Sequence, residues 1–163
     1  MTDLKLPDTI KMVITDFDGV VTDNCVYISD SGDISRKLNF ADVMGFSILK
    51  KNGFDIAIVS GESNRAIEMI AKKFDIKEVH TNIRKKIDII KGIVEKYSLS
   101  EDEYLYIGDD VNDLESLKFT KYRLTVPHAP LALKELEGIQ ITSKDGGCGA
   151  FREVADCLIG LKK

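Results

Sequence analysis

Lys11-Met12-Val13-Ile14-Thr15-Asp16-Phe17-Asp18-Gly19-Val20-Val21-Thr22-Asp23 is an apolar run that stops abruptly on two carboxylates and a glycine. A short run apolar on every residue, rather than on alternate ones, is expected of a strand covered on both faces. Two further runs behave alike: residues 55–60 end on Ser60-Gly61-Glu62, and residues 104–108 end on Asp109-Asp110. Shorter strand candidates lie at 78–80, 122–126 and 139–142. Between them fall amphipathic stretches of helical period at 42–51, stopped by Asn52-Gly53, and at 64–74, 85–97, 111–118 and 150–161. This alternation predicts an α/β fold, a Rossmann-like parallel sheet with helices on both faces. Ligands of such sheets bind beyond the carboxyl ends of the strands. Those ends carry Asp16, Asp18, Ser60, Asp109, Asp110 and Asp113, so the polar chemistry converges on one edge. Residues 26–40 break the alternation and read as an inserted β-hairpin with its turn at 30–33.

The remaining composition narrows the function. A chain of 163 residues, 44% hydrophobic and 31% charged, is expected to form one soluble globular domain, residues 1–163. Its 23 basic and 27 acidic residues give a net charge of -4, with no basic run able to follow a phosphate backbone, which argues against nucleic acid as a partner. Apolar stretches such as 56–59 and 158–161 fall far short of the ~20 residues that span a bilayer. Residues 1–8 lack the apolar segment of a signal peptide. A cytoplasmic protein with no membrane partner is expected. Cys25, Cys148 and Cys157 cannot all pair within one chain and read as reduced thiols. His80 and His128 belong to no motif and read as surface or loop residues.

Four constellations could carry chemistry. Asp16 and Asp18, one residue apart at a strand end, can both face a phosphate while the intervening amides bind its oxygens; the same letters also suit a solvated turn, and they lack the later acidic ligands of a calcium loop. Ser60, just before a helix start, offers a hydroxyl and amides to an anion, or simply caps that helix. Lys86, in Arg84-Lys85-Lys86 at another helix start, opposes the macrodipole and suggests a nearby anion. In Gly108-Asp109-Asp110-Val111-Asn112-Asp113 three carboxylates within five residues repel one another unless a cation such as Mg²⁺ neutralises them.

Order, spacing and strand-end placement together resemble the haloacid dehalogenase superfamily of phosphotransferases, over nearly the whole chain. Residues 16–22 are similar to its first motif, Ser60 to its second, Lys86 to its third and residues 108–113 to its fourth. Only about 35 residues separate Gly19 from the strand at 55, which leaves no room for a cap domain beyond the hairpin. Asp-Gly-Val-Val-Thr-Asp, the hairpin, residues 37–40 and Gly146-Gly147-Cys148-Gly149-Ala150-Phe151-Arg152-Glu153 resemble the capless subfamily that acts on ulosonic acid phosphates, octulosonate 8-phosphate or nonulosonate 9-phosphate.

The resemblance implies an Mg²⁺-dependent phosphatase that works through an aspartyl-phosphate. Asp16 would be the nucleophile and Asp18 the general acid and base, with Ser60 and Lys86 holding phosphoryl oxygens. Asp16, the Asp18 carbonyl and Asp109 would hold the metal. Asp110 and Asp113 would order its waters or Lys86, and Thr22, Gly61 and Glu62 would meet the substrate, a small phosphorylated acidic sugar. Lys85 is the alternative to Lys86, which helix phase favours. Cys148 stands where octulosonate phosphatases usually carry arginine, whereas Glu62 resembles the nonulosonate enzymes. The resemblance also implies a homotetramer assembled through the hairpin, residues 26–38. Two rival readings differ in class. A phospho-accepting receiver domain would place its lysine after the last active strand, but Lys86 precedes Asp109. A catalytically silent assembly module, as in acylneuraminate cytidylyltransferase fusions, would not keep all four motifs.

Overall fold

The structure, a computed structural model, describes residues 4–160. Its chain runs β1 (Met12–Thr15), β2 (Tyr27–Ile28), β3 (Ile34–Ser35), α1 (Phe40–Lys51), β4 (Asp55–Val59), α2 (Arg65–Phe74), β5 (Glu78–His80), α3 (Lys86–Lys96), β6 (Tyr104–Ile107), α4 (Leu114–Phe119), β7 (Tyr122–Thr125), α5 (Leu131–Lys134), β8 (Gln140–Ile141) and α6 (Ala150–Leu158). Six strands form one sheet in the order β5-β4-β1-β6-β7-β8. Every pairing in it is parallel.

Thr15 of β1 pairs with Ile58 of β4 on one side and Ile107 of β6 on the other. In parallel strands this register carries the following residues to one edge, so Asp16, Ser60 and Asp109 leave the sheet side by side. From β1 the chain steps outward through β4 to β5, then crosses back to β6 and steps the other way. Right-handed crossovers therefore put α1 and α2 on one face and α3 and α4 on the other, and the crevice of the fold lies where the direction reverses, between β1 and β6. All residues of β1 and β6 are buried, as strands covered on both faces must be.

The first face closes around Phe46 of α1, whose ring stacks on Phe151 of α6 at 4.2 Å between centroids and on Phe74 of α2 at 5.9 Å. α6 starts after Gly149 in a left-handed conformation and has no cap of its own. Buried Asp42 of α1 fills the role, accepting from the Gly149 and Arg152 amides at 2.9 and 3.1 Å. Elsewhere asparagines cap: Asn39 accepts from the Ala41 amide and Asn64 from that of Ile67.

Three elements differ from the sequence expectation. The helix expected over 111–118 opens as a 3-10 turn at Val111–Asp113, because Asp110 and Asp113 fold reciprocally onto each other's backbone before α4 begins. The four-residue α5 after Pro130 has too few turns to show a period. The hairpin is much shorter than residues 26–40: β2 and β3 pair over two residues each, around a turn held by the Ser29 amide on the Asp33 carbonyl at 3.0 Å. The expected end of the last helix at Leu161 lies outside the described residues. Among those described, no helix is long and apolar enough to cross a membrane.

Because Phe46 joins three helices in one stack, Phe46→Ala is expected to lower the unfolding free energy by about 3–5 kcal/mol. Urea denaturation against the wild type measures it; a loss below about 1 kcal/mol would show that this face does not rest on the stack.

Candidate active site

The loop after β1 is wound so that both carboxylates of the opening motif face the crevice. The Asp16 amide continues the ladder onto the Ile107 carbonyl at 2.9 Å. Phe17 is fully buried, and its carbonyl accepts from the amides of Val20, Val21 and Thr22. Gly19 lies at φ +92°, and a Cβ there would fall 1.9 Å from Asp109 Oδ2, so only glycine lets the β1 and β6 loops touch. Gly108 is constrained in the same way by the Asp113 side chain, at 2.5 Å from a built Cβ.

Lys86 lies beneath these loops, buried at 1% exposure, with Nζ 2.7 Å from Asp16 Oδ2 and 2.7 Å from Asp113 Oδ1. Its neighbour Lys85 points outward to Asp88, so the geometry favours Lys86 as the motif lysine. Asp113 is fully occupied as a brace: Oδ1 takes Lys86 and the Tyr106 hydroxyl, and Oδ2 takes the Asp109 and Asp110 amides at 3.0 and 3.2 Å. Asp16 Oδ1 accepts from the Phe17 amide at 2.6 Å.

Burial, then the Asp113 charge, raises the Asp16 pKa well above the carboxylate range, against the pull of Lys86. The same two causes push Asp109 up to about 6. Burial alone would lower Lys86, but Asp113 and Asp16 outweigh it and hold its pKa above the ordinary lysine value. Asp16, Asp109 and Asp113 bring carboxylate oxygens within 4.8 Å of one another. With all three ionised, the buried carboxylates against one ammonium would carry two negative charges in excess, which suits a divalent cation bound by oxygen. With Asp113 committed to its brace, Asp16 and Asp109 are the side chains free to hold one.

Asp18 is held by Thr22 Oγ1 at 3.1 Å and Arg36 Nε at 3.0 Å on Oδ1, and by Asn64 Nδ2 at 3.1 Å on Oδ2. A cavity of about 360 Å³ opens above these groups. Asp16, Asp18, Ser60, Gly61, Glu62, Asp109 and Asp110 of the sequence reading all line it. Ser60 is buried, and its Oγ accepts from the Glu62 amide at 3.2 Å. Asp110 sits at the rim and caps Val111. Thr22 departs from expectation: it is fully buried, accepts from the Gly19 amide and donates to Asp18, so it orients that carboxylate instead of meeting a substrate. Cys148 is exposed and outside the lining.

Several site residues escaped the sequence reading. Asn24, left-handed at φ 61°, donates to Asp109 Oδ2 at 3.3 Å. Arg36 reaches Asp18 from the end of the hairpin, and Asn64 does so from the cap of α2. His128 is not without partners: Nε2 lies 3.6 Å from Asp109 Oδ2 and Nδ1 3.2 Å from Asp145 Oδ1. It lies in the exposed turn after β7, as its reading as a surface or loop residue expects, and that turn follows the strand next to β6. His80 pairs with Glu78 at 2.9 Å.

A parallel sheet ending in this carboxylate pair, buried lysine and acidic turn defines a class of hydrolase that works on anionic esters. The profile of the haloacid dehalogenase-like hydrolases matches residues 41–119. A Streptomyces avermitilis protein described as a HAD-family hydrolase is 31% identical, with a TM-score of 0.87 over 96% of this chain and 90% of its own. The 3-deoxy-D-manno-octulosonate 8-phosphate phosphatase of Moraxella catarrhalis, crystallised with a magnesium ion, a phosphate ion and a KDO molecule, is 27% identical with a TM-score of 0.87, over 94% and 87% of the two chains. The Escherichia coli K12 phosphatase of that name, KdsC, is 26% identical over 153 residues, 93% of this chain and 80% of its own. The chain belongs to the haloacid dehalogenase-like hydrolase family. Within it, the chain is a phosphatase.

In chelated buffer at pH 7, Asp109→Asn is expected to stabilise the protein by about 3 kcal/mol, because the folded state holds the Asp109 proton more tightly than the unfolded chain. The wild type has that stability below about pH 4 and loses it as the pH rises through about 6, so the advantage of the variant should shrink toward pH 4. Denaturation series across this range test it; equal stability at pH 7 would refute the crowding of the site.

Proposed function

We propose that the chain is an Mg²⁺-dependent phosphomonoesterase acting on the phosphate ester of an ulosonic acid, octulosonate 8-phosphate or nonulosonate 9-phosphate, with residues 1–163 working as one phosphatase domain. The observation that carries this reading is the buried Lys86 joined to Asp16 beside Asp109, a nucleophile fixed next to an excess of negative charge. Asp16, Asp109 and the Asp18 carbonyl would hold Mg²⁺, which when bound neutralises that excess and draws charge from the phosphoryl oxygens.

The chain's own groups do the rest. Asp16, oriented by the Phe17 amide and Lys86, attacks phosphorus; a carboxylate-phosphorus bond forms as the ester bond breaks. Asp18 gives its proton to the departing alkoxide. It then takes one from water, which attacks the aspartyl-phosphate and releases inorganic phosphate. Ser60 and Lys86 hold the phosphoryl oxygens throughout, a positional and electrostatic task that dominates phosphoryl transfer. Gly61 and Glu62 face the sugar, Asp113 steadies Lys86, and Asp110 stands by the waters of the metal.

The hairpin supports a homotetramer. Tyr27, Ile28 and Ile34 are 60–67% exposed, and a two-stranded hairpin is marginal in water without a partner surface. A neighbouring subunit seated there would cover the open cavity.

Asp16→Asn should abolish phosphate release with Mg²⁺, since an amide does not attack phosphorus, and Asp18→Asn should lose about 10²–10⁴-fold. Two folded variants that keep wild-type rates, or a wild type indifferent to EDTA, would defeat the mechanism. Light scattering should give a tetramer that Tyr27→Glu with Ile28→Glu dissociates. A monomeric wild type with full activity would exclude the shared cover.

A further inference from the structure

We propose that Arg84 binds the carboxylate of the substrate and so makes the enzyme select an acidic sugar phosphate over a neutral one; the inference rests on the function proposed above. The residues lining the cavity include five acids, Asp16, Asp18, Glu62, Asp109 and Asp110, and one cation, Arg84. Four cations on the surrounding loops are committed, while Arg65 and Lys144, which no ion pair holds among the described residues, lie outside the lining. Lys86 holds Asp16 and Asp113, Arg36 holds Asp18, Lys37 holds Asp23 and Lys85 holds Asp88. Arg84 makes no hydrogen bond or ion pair among the described residues, although Glu62 and Asp110 share its cavity.

Its backbone is nonetheless fixed. Asn82, left-handed at φ 57°, turns the chain after β5, and the Ile83 amide donates to the Ser60 carbonyl at 3.1 Å, which ties the loop before α3 to the turn carrying Ser60, Gly61 and Glu62. Arg84 thus stands unpaired among the described residues, on an anchored loop that lines a cleft whose other charged residues are all acidic.

A substrate with one anionic end at Asp16 and Ser60 needs a second cation if it carries a second anion. Apart from the neutral amides of Asn24 and Asn112, the polar side chains elsewhere along the wall include Asp18, Glu62 and Asp110, which would repel a carboxylate. A guanidinium offers a planar pair of donors matched to a carboxylate, in a charge-assisted contact. Glu62, from the adjoining turn, is left for hydroxyls.

The test compares 3-deoxy-D-manno-octulosonate 8-phosphate and N-acetylneuraminate 9-phosphate with their C1 methyl esters, which keep the sugar and remove the charge. Wild type should favour the acid in kcat/KM by about 10–100-fold, the worth of one charge-assisted contact. Arg84→Met should collapse that ratio mainly through KM, and Arg84→Lys should restore part of it, with melting temperatures confirming that both variants fold. A ratio that survives in Arg84→Met overturns the proposal alone. So does an equal loss on acid and ester, which would assign Arg84 to the phosphoryl group or to structure. A wild type that hydrolyses other phosphate esters but neither ulosonate phosphate overturns the functional reading, and the proposal with it.

Discussion

Everything at the crevice is organised around one buried ammonium. Lys86 Nζ lies between Asp16 and Asp113, and its side chain has no exposure to water. Desolvating an ammonium costs several kcal/mol, so it stays charged only because two carboxylates meet it at hydrogen-bond distance. The carboxylates need it equally, since Asp16 and Asp109 are already driven toward their protonated forms with Lys86 in place. The cluster is left short of positive charge by design of its residue types. It is therefore stable enough to fold, yet gains most when a divalent cation arrives.

That balance depends on loops packed closer than side chains allow. Gly19 touches Asp109, Gly108 touches Asp113, and a Cβ on Gly146 would lie 1.9 Å from the Gly19 carbonyl oxygen. The three glycines nest the loop after β1, the turn after β6 and the segment before α6 against one another. α6 is in turn held by Asp42 of α1. Packing around Phe46 and the placing of Asp16 are thus linked through Asp42, Gly146 and Gly19, which relates the hydrophobic face of the sheet to the chemistry at its edge.

The fold was legible because its signals are local. Apolar runs ending in acids mark β1 and β6, and Asn52-Gly53 marks the end of α1. Asp16, Ser60, Lys86 and Asp109 were legible for the same reason, since each lies at or near a strand or helix end and parallel register brings those ends together. Residues acting across the sequence left weaker traces. Arg36 reaches Asp18 over 18 positions, and the His128 contact with Asp109 joins the ends of two different strands. Thr22 shows the converse limit: its place in a motif indicated the neighbourhood, but only burial and its bond to Asp18 showed that it faces inward. The 3-10 turn at 111–113 was hidden because a helical period cannot distinguish an aspartate on a helix face from one capping its start.

The hairpin would connect any assembly to the site. It touches the loop after β1 through two ion pairs, Arg36 with Asp18 and Lys37 with Asp23. Such partly exposed pairs contribute only about 0–1 kcal/mol each, too little to fix a two-stranded ribbon whose apolar side chains face water. A surface covering Tyr27, Ile28 and Ile34 would therefore supply most of the order of the hairpin. Since Arg36 is also one of three donors that orient Asp18, the same cover would steady that carboxylate. In a chain without a cap domain, one guanidinium at the foot of the ribbon would in this way make the setting of Asp18 depend on an external surface.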